Sequence, residues 1–564
     1  MKKSDKVIIK EISSLMNELN LIELSYSDGK NNYKLRKYEG VSKVANIAYE
    51  NSSSSAQEDK NLTDETVNKS VKAPLVGTVY LSPEPGAKPF VELDQTVKVG
   101  QVILIIEAMK TMNEITAHKN GKVKKILIAN RGEIALRIHR ACQDMGILTV
   151  AVHSTADEKS MHVRLANESV CIGPASIKDS YLNIPSIISA ATIANVDAIH
   201  PGVGLLSENY SFAKIVNEHG FKFIGPNQNH ISLMGNKVTA KQKAKEIGLP
   251  ILPGSEGNVN NISEAIDVCK EIGFPILIKA TNGGGGRGIK KVTSMSELRQ
   301  KFALTRSEAL QSFGDDSVYI EKYLSNPRHI EIQVISDSHG NFLHLGERDC
   351  SIQRRNQKIL EECPSPVLNS NQRNFICEVC IKAMKKLNYE NLGTIEFLFE
   401  DNNFYFIEMN TRLQVEHPIT EMVYGIDIVK EQISIASGNK LNFKQANINI
   451  SGHSIECRIN AENPINFFPS SGNIKSYHVP GGPGIRIDSA LYTGLNISTH
   501  YDGLIAKLII HGKDRKECLV RLNRALQEFV IEGIDTTIPL HQRLLKNEEF
   551  LNGHYNINWL ETIL

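Results

Sequence analysis

Two acidic residues and an amide fall on neighbouring segments that are typical of β-strands. Glu396 lies in one apolar stretch, Glu408 and Asn410 lie in the next, and Asp401-Asn402-Asn403 connects the two. Alternation along a strand places Glu408 and Asn410 on one face. Carboxylate and amide oxygens are the donors that Mg²⁺ prefers, with phosphate oxygens as further ligands. Acids on an exposed strand are the ordinary alternative, but the apolar flanks favour a magnesium site.

Several cationic residues stand close to this segment or in short motifs elsewhere. Arg412 follows Asn410 within the stretch Asn410–Pro418, and further cations stand at Lys358 and Arg458. Such charges can gather anions and stabilise negative charge on phosphate and carboxylate oxygens. A single arginine is more often a weak surface ion pair. Arg412, Lys358 and Arg458 are therefore candidates for anion binding by residue type.

A glycine run follows a short apolar strand. Lys279-Ala280-Thr281-Asn282-Gly283-Gly284-Gly285-Gly286-Arg287-Gly288 comes directly after Pro275–Ile278. Glycine lets backbone N–H groups approach phosphate oxygens closely, so the run is a candidate phosphate-binding loop. A flexible loop without function is the ordinary alternative. The run is not a Walker A motif, because GxxxxGK[ST] is absent from it.

A lysine stands in the hexapeptide Glu107-Ala108-Met109-Lys110-Thr111-Met112, between two strand-like segments. This pattern places Lys110 at the tip of a hairpin, where its amine extends far from the domain body. A lone lysine is normally a solvated surface group.

The elements that must position these residues change in type along the chain. Residues 73–123 are short strands punctuated by glycine and proline. Residues 124–236 begin with the strand Lys125–Ala129 and alternate strands with helices, which implies a parallel sheet. Residues 237–325 are a smaller α+β unit with the glycine run, and residues 326–564 combine antiparallel strands with a helical end. The predicted fold class is therefore multidomain, α/β and α+β.

The N-terminal residues differ from the rest. Residues 1–40 predict a short helix and then a hairpin around Ser27-Asp28-Gly29. Residues 41–72 are rich in Ser, Asn, Asp and Glu, which predicts a flexible linker. A flexible tether suits a small domain that must travel.

Composition narrows the function classes. The chain has 564 residues, of which 41% are hydrophobic and 23% charged, and a formal net charge of +1. This predicts three or four globular domains and no general attraction to nucleic acid or anionic membrane. Nine scattered cysteines, with Cys377 and Cys380 in the one CxxC, indicate a reducing compartment rather than a zinc site. Without a signal-like N-terminus or a membrane-length apolar run, the predicted location is the cytoplasm.

Residues 124–564 resemble biotin carboxylase, a family of ATP-grasp enzymes in which two α+β lobes hold ATP. The resemblance implies a Rossmann-like N-terminal domain, an ATP-grasp domain and a mixed C-terminal domain. It also implies ATP, bicarbonate and biotin as ligands, Mg²⁺ or Mn²⁺ as the metal, and a homodimer. It rests on several separate motifs: Ile128–Glu133, His200-Pro201-Gly202, Met234–Lys237, Arg348–Ser351 and Asn410–Pro418.

The resemblance assigns the reaction centre. In this chemistry bicarbonate attacks the γ-phosphate of ATP, carboxyphosphate yields CO₂, and the biotin N1 proton is removed. Glu416 would be the general base, and Arg458 would stabilise the biotin enolate. Bicarbonate would be bound by Lys358, Arg412, Gln414 and Val415, with Lys358 and Arg412 also catalytic.

The resemblance assigns the nucleotide site as well. Glu396, Glu408 and Asn410 would hold the metal. Asn356 stands where the family usually has histidine, which affects one contact on the nucleotide side, and Asn282 stands where it usually has glycine in the lid loop. ATP would be bound by Lys237, Lys279, Gly284, Gly285, Glu321, Lys322, Leu324, His329, Gln353, Glu396 and Glu408.

The hexapeptide resembles the Glu-Ala-Met-Lys-Met attachment turn of biotin carboxyl carrier proteins. This implies that Lys110 carries biotin, attached by a biotin protein ligase. The segment Ser82–Pro89 is similar to the thumb of the acetyl-CoA carboxylase carrier, and residues 1–40 fit the same subfamily. The chain is therefore interpreted as an acetyl-CoA carboxylase carrier, residues 1–123, fused to its biotin carboxylase. A separate carboxyltransferase would make malonyl-CoA for fatty acid synthesis.

Internal symmetry predicts that the carrier is incomplete. Its first half opens with Ala73–Val79, which matches Ala117–Val123, and continues into Val97–Gly100 and an apolar strand. The second half runs instead into Lys125–Asn130, a stretch that suits either the carrier or the carboxylase. The biotinyl, lipoyl-like β domain of residues 73–123 is thus predicted to lack its closing strands, and the carboxylase sheet to retain the shared strand.

Other readings are less favoured. An ATP-grasp ligase that joins a carboxylate to an amine does not explain the hexapeptide or the stretch from Arg412 to Glu416. A fusion that acts only as a carrier or docking piece would not bind ATP, and nucleic-acid binding has no basic stripe behind it. Residues 111–124 separate Lys110 from the shared strand, a reach of about 50 Å. Carboxylation of the carrier is therefore predicted to occur in trans.

Overall fold

The computed structural model describes residues 123–281 and 288–564, residue 90, and five strands nearer the N-terminus. The chain divides into two compact units, residues 1–72 and residues 73–564. Among the described residues, no helix is both long and apolar enough to cross a membrane.

The first unit contains one hairpin. Strands β1 (Glu23–Ser27) and β2 (Asn32–Arg36) pair antiparallel, which confirms the predicted hairpin. The predicted helix before it and the linker of residues 41–72 lie outside the described residues.

The second unit opens with the strands of the hexapeptide region. Strands β3 (Thr78–Tyr80), β4 (Val102–Ala108) and β5 (Thr111–Thr116) form an antiparallel sheet in the order β3-β4-β5. Strands β4 and β5 pair antiparallel up to Ala108 and Thr111, which confirms the predicted hairpin. The two turn residues, Met109 and Lys110, lie outside the described residues.

A parallel sheet follows. Its strands are in the order β10-β9-β6-β7-β8, and β6 pairs with β7 on one side and β9 on the other. Ile126, Leu127 and Ile128 of β6 are buried. This confirms that the carboxylase sheet holds the shared strand, where neighbours satisfy both of its hydrogen-bonding edges. The strands are β6 (Lys125–Ile128), β7 (Leu148–Ser154), β8 (Glu168–Gly173), β9 (Ala198–His200) and β10 (Lys222–Phe223).

Helices alternate with these strands and lead into the next region. They are α1 (Gly132–Asp144), α2 (Met161–Leu165), α3 (Ile184–Ile193), α4 (Tyr210–Glu218), α5 (Gln228–Gly235) and α6 (Lys237–Ile247).

A small antiparallel sheet carries the glycine run. Strands β11 (Ile276–Ala280), β12 (Ile289–Val292) and β13 (Val318–Lys322) are in the order β12-β11-β13, and α7 (Ile262–Ile272) and α8 (Met295–Phe313) accompany them. Strand β11 starts one residue later than predicted, since Pro275 has no N–H to donate. Residues 282–287 of the glycine run lie outside the described residues.

An eight-stranded antiparallel sheet carries most of the remaining candidate residues, in the order β18-β17-β14-β15-β16-β19-β24-β22. Because it is continuous, it brings together side chains that are far apart in sequence. Its strands are β14 (Arg328–Ser336), β15 (Phe342–Arg354), β16 (Gln357–Cys363), β17 (Asn391–Glu400), β18 (Asn403–Asn410), β19 (His453–Asn460), β22 (Ile485–Ser489) and β24 (Leu504–Gly512).

Short strands and helices surround this sheet. The strand pairs are β20 (Gly472–Asn473) with β23 (Asn496–Ile497), and β21 (Ser476–His478) with β25 (Val530–Glu532). The helices are α9 (Ser370–Leu387), α10 (His417–Tyr424), α11 (Ile428–Ala436), α12 (Arg515–Glu528), α13 (Ile538–Leu544), α14 (Glu548–Leu551) and α15 (Trp559–Ile563).

Candidate active site

A β-bulge sets the direction of Lys358. Leu360 pairs with Ile352 and Lys358 pairs with Gln353, so Ile359 is an extra residue on β16. Successive side chains of a strand point to opposite faces. The extra residue therefore moves Lys358 away from the face of Leu360, which packs in the apolar core.

Lys358 lies among three carboxylates. Its Nζ donates to Glu331 at 2.6 Å, to Glu396 at 3.0 Å and to Glu416 at 2.7 Å. Burial alone would lower the pKa of this ammonium, but the three carboxylates outweigh it and raise the pKa well above its ordinary value. Lys358 is therefore a fixed positive charge at the centre of the sheet.

Glu416 lies between two cations. One carboxylate oxygen accepts from Lys358 and the other accepts from Nη2 of Arg458 at 2.9 Å. Burial would raise the pKa of Glu416, but Lys358 and Arg458 outweigh it and lower the pKa below its ordinary value. Nε of Arg458 donates to Glu361 at 2.6 Å, which fixes the guanidinium. The structure thus brings Lys358, Glu416 and Arg458 together as an ionised group.

Arg412 is held by a glutamate from the parallel-sheet region. Its Nε donates to Glu208 at 2.7 Å, and the N–H of Thr411 donates to the other oxygen of Glu208 at 3.0 Å. Nη2 of Arg412 donates to Asn410 at 3.0 Å. Sequence reasoning missed Glu208, because nothing in the nearby Ser-Glu-Asn segment indicates a partner 204 residues away.

Gln414 and Val415 lie in the same loop. The Gln414 amide donates to Glu396 at 3.0 Å. The carbonyl of Val415 accepts from the buried Lys507 at 3.0 Å. Side-chain and backbone groups of this loop are thus fixed by neighbours on the large sheet.

Glu396 and Glu408 are direct partners across β17 and β18, and Asn410 pairs with Thr394 on the same strands. The register skips Ile407, a second bulge beside the site. The turn between the strands contains Asp401 and Asn402 at φ 50° and 63°, and Asn403 belongs to β18. The predicted three-residue turn is therefore one residue too long, because a two-residue turn with positive φ matches strand twist.

This strand pair fits a hard cation. Two carboxylates stand opposite one another with an amide close by, which is the oxygen-rich donor set that Mg²⁺ prefers. Glu396 also accepts from the Asn410 amide at 2.7 Å, and Nε2 of His329 lies 3.0 Å from its second oxygen. Gln353 contacts Nδ1 of His329 at 2.9 Å.

Glu321 joins two lysines of the predicted nucleotide site. It accepts from Lys279 at 2.7 Å and from Lys241 at 2.8 Å. Burial would raise the pKa of Glu321, but the two ammonium groups lower it to about 2. Sequence reasoning missed Lys241, which lies on α6 four residues after Lys237. For Lys237 itself the helical backbone is described.

Lys322 and Leu324, the other predicted nucleotide residues of this segment, do not join the Glu321 group. Nζ of Lys322 donates to the carbonyls of Ile272, Gly273 and Phe274 at 3.1–3.2 Å, where α7 ends. Its ammonium therefore caps that helix. Leu324 is half-buried at the start of the following loop. Gly284, Gly285 and Asn282 lie outside the described residues.

Asn356 has a conformational role. Arg355 and Asn356 form the exposed two-residue turn between β15 and β16, at φ 49° and 64°. Asparagine tolerates this left-handed region better than most residues. The departure from histidine thus stands at the tip of the hairpin that carries Lys358.

A second buried network reaches Lys358 through Glu331. Arg348 is fully buried and donates to Glu331 at 2.5 Å, to Gln333 at 2.7 Å and to Thr420 at 2.9 Å. Arg348 belongs to one of the motifs that carry the resemblance, whereas Glu331 was not predicted from the sequence. The pairing of Glu331 with both Arg348 and Lys358 holds the ammonium in place.

Family models match the chain in consecutive parts. "Biotin carboxylase, N-terminal domain" matches residues 122–231, "Carbamoyl-phosphate synthase L chain, ATP binding domain" matches residues 236–444, and "Biotin carboxylase C-terminal domain" matches residues 456–562. "Biotin-requiring enzyme" matches residues 69–135. The matches to "Biotin-requiring enzyme" and to "Biotin carboxylase, N-terminal domain" overlap at residues 122–135, which include the shared strand β6.

Individual proteins agree with this assignment. The chain is 54% identical over 446 residues to a biotin carboxylase of Allochromatium vinosum, covering 79% of this chain and 99% of the relative. A biotin carboxylase–β,γ-ATP complex from Campylobacter jejuni is 47% identical with a TM-score of 0.75, covering 78% and 99% of the two chains.

A further solved structure is the biotin carboxylase domain dimer of Hydrogenobacter thermophilus 2-oxoglutarate carboxylase, in complex with MgADP, ADP and bicarbonate. It is 46% identical with a TM-score of 0.74, covering 78% of this chain and 98% of the other. The predicted fold class is confirmed: N-terminal, ATP-grasp and C-terminal carboxylase domains follow an N-terminal biotin-lipoyl domain. The chain belongs to the biotin carboxylase family and is an ATP-grasp enzyme that carboxylates biotin with ATP.

Proposed function

We propose that this chain performs the first half-reaction of an acetyl-CoA carboxylase. ATP, bicarbonate and biotin give ADP, phosphate and carboxybiotin, and a separate carboxyltransferase then forms malonyl-CoA. The observation that carries the proposal is the convergence of Lys358 and Arg458 on Glu416, because these charges suit an anionic reaction centre with an ionised base.

Each residue near Glu416 has a role in this proposal. Glu416 removes the proton and Arg458 stabilises the biotin enolate. Lys358, Arg412, Gln414 and Val415 bind bicarbonate, and their fixed contacts leave little reorganisation for the reaction. The Hydrogenobacter structure contains bicarbonate, which supports this part of the proposal.

The nucleotide and metal lie next to this group in the proposal, since Glu396 accepts from both Lys358 and Gln414. Glu396, Glu408 and Asn410 hold Mg²⁺, which neutralises phosphate charge when it is bound. Lys237, Lys279, Gly284 and Gly285 bind the phosphates. The remaining ATP contacts come from Glu321, Lys322, Leu324, His329 and Gln353. Release of the Lys279 ammonium from Glu321 would accompany nucleotide binding.

The test is direct. Purified chain is incubated with free biotin, ATP, Mg²⁺ and labelled bicarbonate, and labelled carboxybiotin is measured. Product that requires all four components supports the proposal. ATP cleavage that requires an amine and ignores biotin would instead favour an ATP-grasp ligase of the carboxylate–amine type.

The acyl acceptor is tested separately, since a 2-oxoglutarate carboxylase is among the similar proteins. The carboxylated chain is mixed with a purified acetyl-CoA carboxyltransferase and acetyl-CoA. Labelled malonyl-CoA supports the assignment, and no transfer beyond a control without enzyme rejects it. The Ser82–Pro89 segment, which is similar to the acetyl-CoA carboxylase thumb, is the reason to expect acetyl-CoA.

Lys110 is proposed to carry the biotin despite the incomplete carrier. After co-expression with a biotin protein ligase, the intact mass is expected to increase by one biotinyl group. The Lys110→Arg variant is expected to remain unmodified. An unmodified parent chain that still carboxylates free biotin would show that the carrier is not a ligase substrate.

Glu208 is expected to affect bicarbonate more than turnover. A glutamine at this position can still accept from the Thr411 N–H with its one oxygen, but its amide NH₂ then faces the Arg412 guanidinium and cannot accept from it. The Glu208→Gln variant should therefore raise KM for bicarbonate about tenfold, with a smaller change in kcat. Steady-state rates at varied bicarbonate measure this. Glu218→Gln, on the exposed face of α4, is the matched control. If Glu208→Gln and Glu218→Gln had the same KM for bicarbonate, Glu208 would not position Arg412 for bicarbonate binding.

A further inference from the structure

An exposed apolar loop stands beside the active-site end of the large sheet. Ile465 is 79% exposed and Phe468 is 70% exposed, although both belong to a folded segment. Exposed large apolar side chains that are held in place often mark interaction sites. We refer to residues 463–468 as the apolar loop.

The apolar loop is held by its own hydrogen bonds. The N–H of Asn463 donates to the carbonyl of Phe468 and that of Phe467 donates to Asn463, both at 2.9 Å. The Asn463 side chain accepts from the N–H groups of Ile465 and Asn466. Phe467 has φ 61°, a conformation that costs a bulky residue energy. The exposure of Ile465 and Phe468 is thus built into the backbone.

The position of the apolar loop follows from its neighbours. Strand β19 carries Arg458 and ends three residues before Asn463. The Arg354 guanidinium lies 3.7 Å from the centre of the Phe467 ring. Arg354 adjoins Gln353, the register partner of Lys358. The apolar loop therefore borders the end of the sheet where carboxylation is proposed.

We infer that the apolar loop is the docking surface for the biotinyl hairpin, residues 102–116, of another copy of this chain. The inference deepens the proposed function and depends on it. Biotin attached to Lys110 can reach the reaction centre only when the carrier lies against the enzyme. The carrier must therefore contact a surface within one biotinyl-lysine length of Arg458.

The sequence of the hairpin suits an apolar partner with positive charge at its border. The hairpin has Met109 and Met112 beside Lys110, and methionine adapts well to apolar partners. Glu107 and Glu114 lie on its strands β4 and β5.

The enzyme side offers the opposite charge. Arg543 is exposed and donates to the carbonyl of Pro464 within the apolar loop at 3.2 Å. Arg355 is exposed at the hairpin tip next to Arg354. Arg543 and Arg354 thus contact the apolar loop, where the hairpin carries two acids, and Asp535 on the enzyme side is engaged by the Asn463 amide at 2.9 Å. Complementary charge of this kind speeds association.

Two forms of the full chain test the inference. The donor carries Lys110→Arg, so it cannot accept biotin, and the acceptor is biotinylated and carries Glu416→Gln, so it cannot carboxylate. Donors with and without Ile465→Ser and Phe468→Ser are given ATP and labelled bicarbonate. Transfer to the acceptor is compared with transfer to free biotin.

The loop substitutions are expected to lower kcat/KM for the acceptor about tenfold and to change that for free biotin less than about twofold. Arg543→Glu is expected to slow transfer to the acceptor, most strongly at low salt. Ile193→Ser with Val520→Ser removes equally exposed residues, 78% and 68%, as the control. Unchanged transfer to the acceptor, or an equal loss with free biotin, would overturn the inference.

A second measurement does not need biotinylation. A photo-reactive benzoylphenylalanine at position 468 of the full chain is expected to cross-link to peptides from residues 102–116. Cross-links elsewhere, or none, would overturn the docking inference. If the donor without the loop substitutions did not carboxylate free biotin, the proposed function itself would be rejected.

Discussion

Replacement of Glu416 with glutamine is expected to lower kcat for biotin carboxylation by a factor on the order of 10³. Glutamine has nearly the same shape, but its single oxygen can accept from only one of Lys358 and Arg458, and it cannot take up a proton. KM for ATP should change less, because Glu416 pairs with Lys358 and Arg458, which the proposal assigns to bicarbonate and biotin rather than to the ATP phosphates. Labelled bicarbonate fixation on free biotin, at saturating ATP, measures the loss.

Glu347, on β15 of the large sheet, provides a matched control. Glu347 is also fully buried, but it pairs with Arg373 and with the N–H of Ser365 rather than with the site. Glu347→Gln is expected to lower stability and to leave the kcat of the folded enzyme nearly unchanged. If both variants lost activity equally, the effect of Glu416→Gln would be structural and the general-base role would fail.

The sequence was most informative where function depends on neighbours in the chain. Glu396 and Glu408 were expected on two strands joined by a tight turn, and they are direct register partners. The strand β6 was expected to belong to the parallel sheet, and it does. Strand alternation and turn composition are local properties, so they can be read from a short segment.

The contacts that fix the site were not accessible in this way. Glu208 reaches Arg412, and Glu331 reaches Lys358, across 204 and 27 residues. Each is one acid among 63 acidic residues, and the sequence offers no local reason to choose it. Such pairs are decided by which strands become neighbours, which depends on the whole fold.

Bulges are the second feature that sequence patterns do not show. Simple alternation would place Lys358 on the same face as Leu360, within the apolar core. The extra residue Ile359 reverses this direction, and Ile407 is skipped beside Glu408 in the same way. An isoleucine within a strand gives no indication of a bulge, so the resemblance was needed to associate Lys358 with the site.

The largest effect on stability is expected at Lys358. Lys358→Met leaves three carboxylates facing one another without their shared cation. Loss of one partner from a buried ion pair typically costs about 3–5 kcal/mol. The variant should therefore have a lower free energy of unfolding by about that amount, and kcat/KM for bicarbonate lower by a factor on the order of 10²–10³. Urea unfolding and bicarbonate fixation measure the two effects.

A double-mutant cycle distinguishes this cause from simple loss of packing. In the Lys358→Met background, Glu416→Gln removes one of the uncompensated charges. The double variant is expected to be more stable than Lys358→Met alone by about 1–2 kcal/mol, although Glu416→Gln destabilises the parent protein. If the two substitutions destabilised the protein additively, Lys358 and Glu416 would not be coupled.

The stability that Lys358 contributes is expected to decrease at low pH. Burial would raise the pKa of Glu416, yet Lys358 and Arg458 lower it below the ordinary value of 4.5. A carboxylate with a lowered pKa contributes stability above that ordinary value and loses it as the pH falls. In Lys358→Met the pKa of Glu416 rises, so this contribution is diminished. The difference in unfolding free energy between parent and variant should therefore be full at pH 7 and should shrink as the pH falls below about 4.5. A constant difference would show that the ammonium acts through packing and not through its charge.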